Sequence, residues 1–399
     1  MDITRRTLVR STLLAAGWAS SGHLLSACSN SADYATTPLS NMENIGALLA
    51  EDRNGIRLPP GFSSKVIAQS GQPVIAGDPF LWGASPDGGA CFAQQDGSWI
   101  YVCNNELGGN AGGVSAIHFD RTGAPQSAYP ILTGTSRNCA GGKLPYGRWL
   151  SCEETPTGQV YECDPTGKKP AIVRPLLGVF RHEAAAYDLE NHHIYLTEDR
   201  PDGKLYRFVP GNFRPDGYAD LSSGHLEVAE IVDVVTGAAV WHRLPDPEAH
   251  KEETRFQVAE ATSFAGGEGI EYHEGKVYFT TKISNQVHVY DTQKQRFSVL
   301  YDKKEHDPAI LSGVDNIHLN SHGDIFVAED GGDMQVVVIT KGGNIKPLLE
   351  IPSHRASEIT GPAFSPDLKH FYFSSQRGAS GSVFDGTTYQ ITGPFFISS

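Results

Sequence analysis

The sequence predicts an all-β chain folded as a six-bladed β-propeller with four-stranded blades. Three observations point there: a phrase that recurs six times, a nearly constant spacing between its copies, and a composition rich in turn formers. The phrase is a turn of Gly or polar residues, then a short aromatic and β-branched strand, then polar or acidic groups. It reads DGSWIYVCNNE, YGRWLSCEE, NHHIYLTED, EGKVYFTTK, HGDIFVAED and LKHFYFSSQR. Aligned on Ile100, Trp149, Ile194, Val277, Ile325 and Phe371, the copies lie 49, 45, 83, 48 and 46 residues apart. A repeat of about 45 residues suits one four-stranded blade. The one long gap implies an insertion of about 36 residues within roughly 209–262. The 399 residues include 43 Gly, 24 Pro and 3 Met, which favours turns and short strands over long helices.

Taken from the N-terminus, residues 1–27 read as an export signal. Paired Arg5 and Arg6 precede a mildly apolar run, as in twin-arginine (Tat) leaders. The run ends in LSAC, which makes Cys28 a candidate lipidated first residue of the mature chain. The other readings are a leader cut nearby without lipidation, or an ordinary apolar helix. The expected location is the periplasm or cell envelope, with the membrane touched through the lipid anchor only. No later stretch has eighteen unbroken apolar residues. Residues 28–55 read as a linker and 56–399 as the propeller.

The formal charge of −14 becomes about −16 once Arg5, Arg6, Arg10 and Asp2 leave with residues 1–27. Such a surface repels nucleic acid and attracts cations. A monomer acting on a small molecule is the expectation.

The unit from Glu268 displays a blade most clearly, as GIEYH, KVYFTTK, QVHVYD and RFSVLYD. Each phrase follows another short segment, taken as the innermost strand. These begin at Asn138, Arg181, Gly267, Val314 and Glu358, with FLWGASPDGG from Phe80 as the first. Within the insertion, DPEAHKEETRFQVAEA predicts a helix carrying Arg255, and the whole insertion is a candidate lid.

Two antiparallel strands joined by a turn bring the start of the first and the end of the second to one face. Radial repetition then gathers those ends at one mouth of a central channel. Residues at that phase include Asn104, Asn105, Glu106, Cys152, Glu153, Glu154, Glu183, Glu198, Asp199, Glu268, Asp315, Asn316, Glu329 and Asp330. Crowded carboxylates repel one another unless cations offset them. Oxygen ligands suit Ca²⁺, and a cysteine among them suits a transition metal. Setting Cys28 aside, five cysteines remain. Cys91 with Cys103, and Cys152 with Cys163, could instead pair across hairpins, so Cys152 is either a disulfide partner or a ligand. The same-phase acids favour the ligand.

NCAGGKLPYGRWLSCEET, FRHEAAAYD, YLTED, GEGIEY, DNIHLNSHGDIFVAED and EITGPAFSPDLKHFYFSSQRG resemble the PhoX-type alkaline phosphatases, from about residue 78 to the end. The resemblance implies a six-bladed propeller with two ferric ions (Fe³⁺) and several calcium ions (Ca²⁺), bridged by an oxo group. It implies Cys152 on iron beside Glu153 and Glu154. Glu183, Glu198 and Glu268 would complete the cluster with the Asp315–Asn316 and Glu329–Asp330 regions, and Asp199 joins the candidate ligands. Asn105, Glu106 and His182 are supporting residues or further ligands. The chain departs from the family where Gly266 and Gly267 stand before Glu268, a place where a basic residue often occurs.

The leading expectation is hydrolysis of phosphomonoesters, with Arg377, Lys282 and Arg255 as candidate catalytic cations. Two other readings are a Ca²⁺-dependent lactonase or esterase, using Glu183, Asn316, Glu268 and Asp330 around one ion, and a lipid-anchored binding propeller.

Overall fold

The structure, a computed structural model, describes residues 38–397; the expected leader and Cys28 lie outside them. No helix among the described residues is long and apolar enough to cross a membrane. Strands β1 (Leu39–Ser40) and β2 (Ser63–Gln69) are followed by a meander of β3 (Pro86–Ala93), β4 (Trp99–Asn105), β5 (Gly112–Phe119) and β6 (Pro125–Thr135). A second four-stranded sheet holds β7 (Asn138–Leu144), β8 (Arg148–Glu153), β9 (Val160–Cys163) and β10 (Ile172–Val173).

Next come β11 (His182–Tyr187), β12 (Ile194–Glu198), β13 (Leu205–Pro210), β14 (Gly224–Asp233) and β15 (Ala238–Arg243), then β16 (Gly267–His273), β17 (Lys276–Thr281), β18 (Gln286–Asp291) and β19 (Arg296–Asp302). These nine form one sheet, because the added strand β15 touches the outer strand β19 through the single pair Ala238 and Arg296. Strands β20 (Val314–Leu319), β21 (Ile325–Glu329), β22 (Gln335–Ile339) and β23 (Ile345–Glu350) make another four-stranded sheet. The last sheet takes β24 (Ile359–Phe364), β25 (His370–Ser375) and β26 (Thr387–Thr392), with β2 as its outer strand. A strand from before the first meander thus completes the last sheet, and β27 (Phe396–Ile397) pairs with β1.

The arrangement is propeller-like and all-β. The first strands β3, β7, β11, β16, β20 and β24 pack side by side in a closed cycle around a channel. Small residues permit that approach. A Cβ added at Gly142 on β7 would stand 1.9 Å from the Ala185 carbonyl oxygen on β11. Gly142→Ala is therefore expected to lower stability by about 3 kcal/mol, measured as the urea midpoint; an unchanged midpoint would mean that the two strands part freely.

Apolar residues fill the spaces between neighbouring sheets, and the two-residue period of a strand decides which space each enters. On β8, Trp149 packs among residues of the first meander. Leu150 and Cys152 face the other way, among Ile194, Leu196, Tyr206 and Phe208 of the next sheet.

Several expectations need correction. The segment from Pro38 to Gly55 is not a free linker: β1 is paired, and Met42 and Ile45 are buried against β22, β23 and β25 residues. The first inner strand begins at Pro86 rather than near Phe80. The stretch expected to be a helix around Arg255 forms only one short 3₁₀ turn, Thr254–Phe256. Its polar groups bond to the body instead, with Val179 N–H donating to the Pro247 carbonyl and the Thr254 hydroxyl to the Val179 carbonyl. Among the described residues the five cysteines Cys91, Cys103, Cys139, Cys152 and Cys163 form no disulfide. Cys91 faces Tyr101 and Cys103 faces Gly89, while Cys152 faces Val160, so neither expected pair is opposed across its hairpin.

Candidate metal centre

One register feature builds the site. Residue pairs Pro86 and Asn105, Asn138 and Glu153, His182 and Glu198, Gly267 and Thr281, Val314 and Glu329, and Ile359 and Ser375 close the channel end of each first hairpin. In five of these hairpins a β-bulge begins immediately after that pair; in the last it begins one residue later. A bulge redirects the side chains it contains. The first bulged residues are Asp87, Cys139, Glu183, Glu268 and Asp315. They are followed by Gly88, Ala140, Ala184, Gly269 and Asn316. The small residues among them line a narrow waist in the channel below the acids. The last hairpin offers Thr360 at that position and supplies its acid from Glu358.

These side chains converge. Three sets present ligand atoms all within 4.8 Å of one another: Asp87, Glu106 and Cys139; Glu183, Glu268 and Asp315; and Asp315, Asp330 and Glu358. Asp315 belongs to two of them. Burial, reinforced by neighbouring carboxylates, raises Asp87, Glu183 and Glu358 well above the usual carboxylate range. Glu106 is pushed up to about 7 by burial and then by Glu154. Asp315 is pushed up to about 6 by burial despite the Lys282 ammonium. Burial and the charges of Asp87, Glu183 and Glu106 hold the Cys139 thiol protonated in the absence of a cation. Glu183 is 1% exposed, and its Oε1 accepts no hydrogen bond. A buried carboxylate oxygen without a donor, set among other carboxylates, fits a multivalent cation, and the single sulfur fits a transition metal beside it.

Cations stand at the rim. Lys282 Nζ lies 2.9 Å from Glu268 and 3.3 Å from Asp330. Arg377 lies 3.0 Å from Glu358 and 3.6 Å from Asp330. Arg181 lies 2.7 Å from Glu154, while Arg137 stands 3.6 Å from Glu106 and 3.7 Å from Glu154.

The structure brings Glu106, Glu183, Glu268, Asp315 and Asp330 into the acid sets, with Glu154 and Asp199 close enough to act on them electrostatically. Other expected ligands lie elsewhere. Cys152 is fully buried in the core between sheets, so it is no ligand of this centre. Glu153, Glu198 and Glu329 brace loops. Each ends a second strand and accepts the backbone N–H six residues on, from Gln159, Lys204 and Gln335. Glu153 and Glu329 also accept the N–H groups of Ser136 and Ser312. Glu329→Ala is expected to cost about 2–4 kcal/mol, because two backbone donors lose their acceptor. Bound metal per folded molecule should stay at the wild-type level, read by calorimetry beside elemental analysis; lost metal would restore Glu329 as a ligand.

His182 is fully buried, stacked on Phe180, with Nε2 3.0 Å from the Gly178 carbonyl. Burial lowers it to about 3, so it is a neutral core residue. Asn105 accepts from the Ser115 hydroxyl. Asn104 holds the strand of Cys139 by donating to the Cys139 and Ala140 carbonyls. Asn316 donates to Asp315 and accepts from Gly361 N–H. Arg255 is buried, not exposed, and its guanidinium is taken by Glu198, Asp202 and Glu253.

Sequence reading missed Asp87, Cys139, Glu358, Gln376, Arg137 and Arg181. Gln376 donates to Asp87 and, at 3.0 Å, to Glu106. For Asp87, Cys139 and Gln376 the available signal was the residue just after a hairpin-closing position.

A family model described as alkaline phosphatase PhoX matches residues 103–169 and 156–296. Among solved structures, Pseudomonas fluorescens PhoX in complex with vanadate, a transition state analogue, superimposes with a TM-score of 0.72 at 17% identity, covering 90% of this chain and 99% of that one. A gluconolactonase from Xanthomonas campestris gives 0.45 at 12% identity, covering 88% and 98%. A protein of unknown function from Bacteroides thetaiotaomicron gives 0.49 at 9% identity, covering 83% and 76%. No curated protein matches.

Proposed function

The chain belongs to the PhoX family of alkaline phosphatases, and from that premise we propose that it is a metal-dependent hydrolase of phosphomonoesters. The observation that carries the reading is the three acid sets at one channel mouth, two of them sharing Asp315 and the third containing a thiol. Counting the nine-stranded sheet as two blades bridged by β15 makes the propeller six-bladed. Cys139, Asp87 and Glu106 form the pocket suited to iron. Glu183, Glu268, Asp315, Asp330 and Glu358 offer the oxygen ligands that suit calcium. When bound, such ions would polarise phosphoryl oxygens and lower the pKa of a coordinated water.

The chain's own residues set the rest. Lys282 and Arg377 stand at the rim, where a substrate's phosphoryl oxygens meet their N–H groups. Arg137 and Arg181 add charge from the opposite set of acids. Lys282 supplies the cation beside Glu268 that Gly266 and Gly267 do not, though it comes from the end of β17 rather than from β16. Gln376 keeps Asp87 and Glu106 together by bonding both.

The proposed setting is export by the Tat route and anchoring through Cys28. Hydrolysis of p-nitrophenyl phosphate by protein exported in folded form, with iron and calcium measured on the same sample, tests the reading. Phosphate release that tracks metal content supports it. A fully metallated protein inert toward aryl phosphates would overturn it.

A further inference from the structure

Beside the acid mouth lies a second cavity of about 330 Å³, lined by Thr157, Phe180, Arg181, Arg200, Glu253 and Arg255 among others. Its walls come from the loops after β8 and β12, the approach to β11, and the 248–255 part of the insertion. All three body segments leave or enter strands at the metal end of the channel. Arg181 joins the two spaces, since its Nη1 bonds Glu154 while its buried Nε has no acceptor.

The charges here are unequal in availability. Arg255 is committed to Glu198, Asp202 and Glu253. Arg200 is partly buried, and its guanidinium makes no hydrogen bond or ion pair among the described residues. Glu248 also borders the cavity but is exposed, so water screens its charge. A half-buried unpaired guanidinium outweighs a solvated carboxylate, and such a fork matches planar or tetrahedral oxyanions.

We propose that this cavity receives the alcohol portion of the substrate and selects phosphomonoesters that carry a second anionic group, a carboxylate or another phosphate, with Arg200 as its partner. This rests on the phosphatase reading above and deepens it. It also gives the insertion a role as the outer wall of a specificity pocket.

Paired esters test it on the metal-loaded full protein. 3-Phosphoglycerate against glycerol 3-phosphate isolates a carboxylate. Fructose 1,6-bisphosphate against fructose 6-phosphate isolates a phosphate. In at least one pair the ester with the second anionic group should show a kcat/KM higher by roughly tenfold or more, the size expected of one charge-assisted hydrogen bond. The pair that shows it names the anion. Arg200→Met should bring that ratio toward one, and Arg200→Lys should restore part of it. Equal kcat/KM values in both pairs, or a preference unmoved by Arg200→Met, would overturn the proposal. If no ester is hydrolysed, the phosphatase reading fails. Calorimetric titration of the same four esters then decides the pocket, by the same ratios in Kd.

Discussion

Replacing Cys139 by serine is expected to abolish the transition-metal content of the protein and to reduce phosphomonoester hydrolysis by more than roughly 100-fold, the upper range for losing a mere supporting residue. Replacing Cys152 by alanine is expected to leave metal content and activity per folded molecule intact. The two cysteines differ in surroundings, not in chemistry. Cys139 begins the bulge of β7 and lies with Asp87 and Glu106 at the mouth. Cys152 is fully buried among Leu150, Val160, Phe180 and Tyr206. Removal of its small side chain leaves a cavity and costs about 1–2 kcal/mol. Serine at 139 keeps the volume but replaces a soft, ionisable donor by a hard one that holds its proton. Iron retained by Cys139→Ser and lost from Cys152→Ala would reverse the assignment and show that β8 enters the channel in the opposite register.

That exchange of cysteines marks how far the sequence could be read. The repeated phrase located the second strand of every hairpin, from Ile100 in β4 to Phe371 in β25, because aromatic and β-branched strands after Gly turns are a local signal. The phase argument also gathered strand ends that do meet, since Asn138 pairs with Glu153. It could not see the bulges. A bulge is a property of two strands in register, and it moves the channel-facing residue to the one after the paired position. Glu183, Glu268 and Asp315, expected at the mouth, do enter the acid sets, because each is itself the first bulged residue of its hairpin. Cys139 was overlooked because it lies one place beyond Asn138, and Asp87 because the first inner strand was expected to begin near Phe80 rather than at Pro86. Glu153, Glu198 and Glu329 lie outside the acid sets for the converse reason: an acid ending a strand at constant phase is equally what a loop brace requires. The insertion misled by its helix-forming composition. Its backbone groups instead bond to Val179 and neighbouring loops, so tertiary partners outweighed propensity.

Stripping the protein with a chelator is expected to make it unstable at alkaline pH and to restore part of that stability on mild acidification, the reverse of ordinary acid unfolding. In the metal-free mouth the folded state raises its carboxylates. Asp315 moves from 3.8 to about 6 and Glu106 from 4.5 to about 7, both through burial first. Asp87, Glu183 and Glu358 are raised further, by burial and by one another. A folded carboxylate with a raised value binds its proton more tightly than the unfolded chain does. Its relative stability is therefore fully present below about pH 4 and is lost as pH climbs through the folded values. At about 1.4 kcal/mol for each pH unit of difference, Asp315 and Glu106 alone bring the loss to several kcal/mol by pH 8. Metals remove the effect, because they favour the ionised ligands and bind only the folded site. The Tm of chelated protein should therefore fall between pH 5.5 and 8, while the gap to the loaded protein widens over the same interval. A chelated Tm that holds steady or rises across that window would show that the acids are relieved by something other than metal. The mouth would then be an internally compensated network in which Lys282, Arg377, Arg181 and Arg137 already suffice.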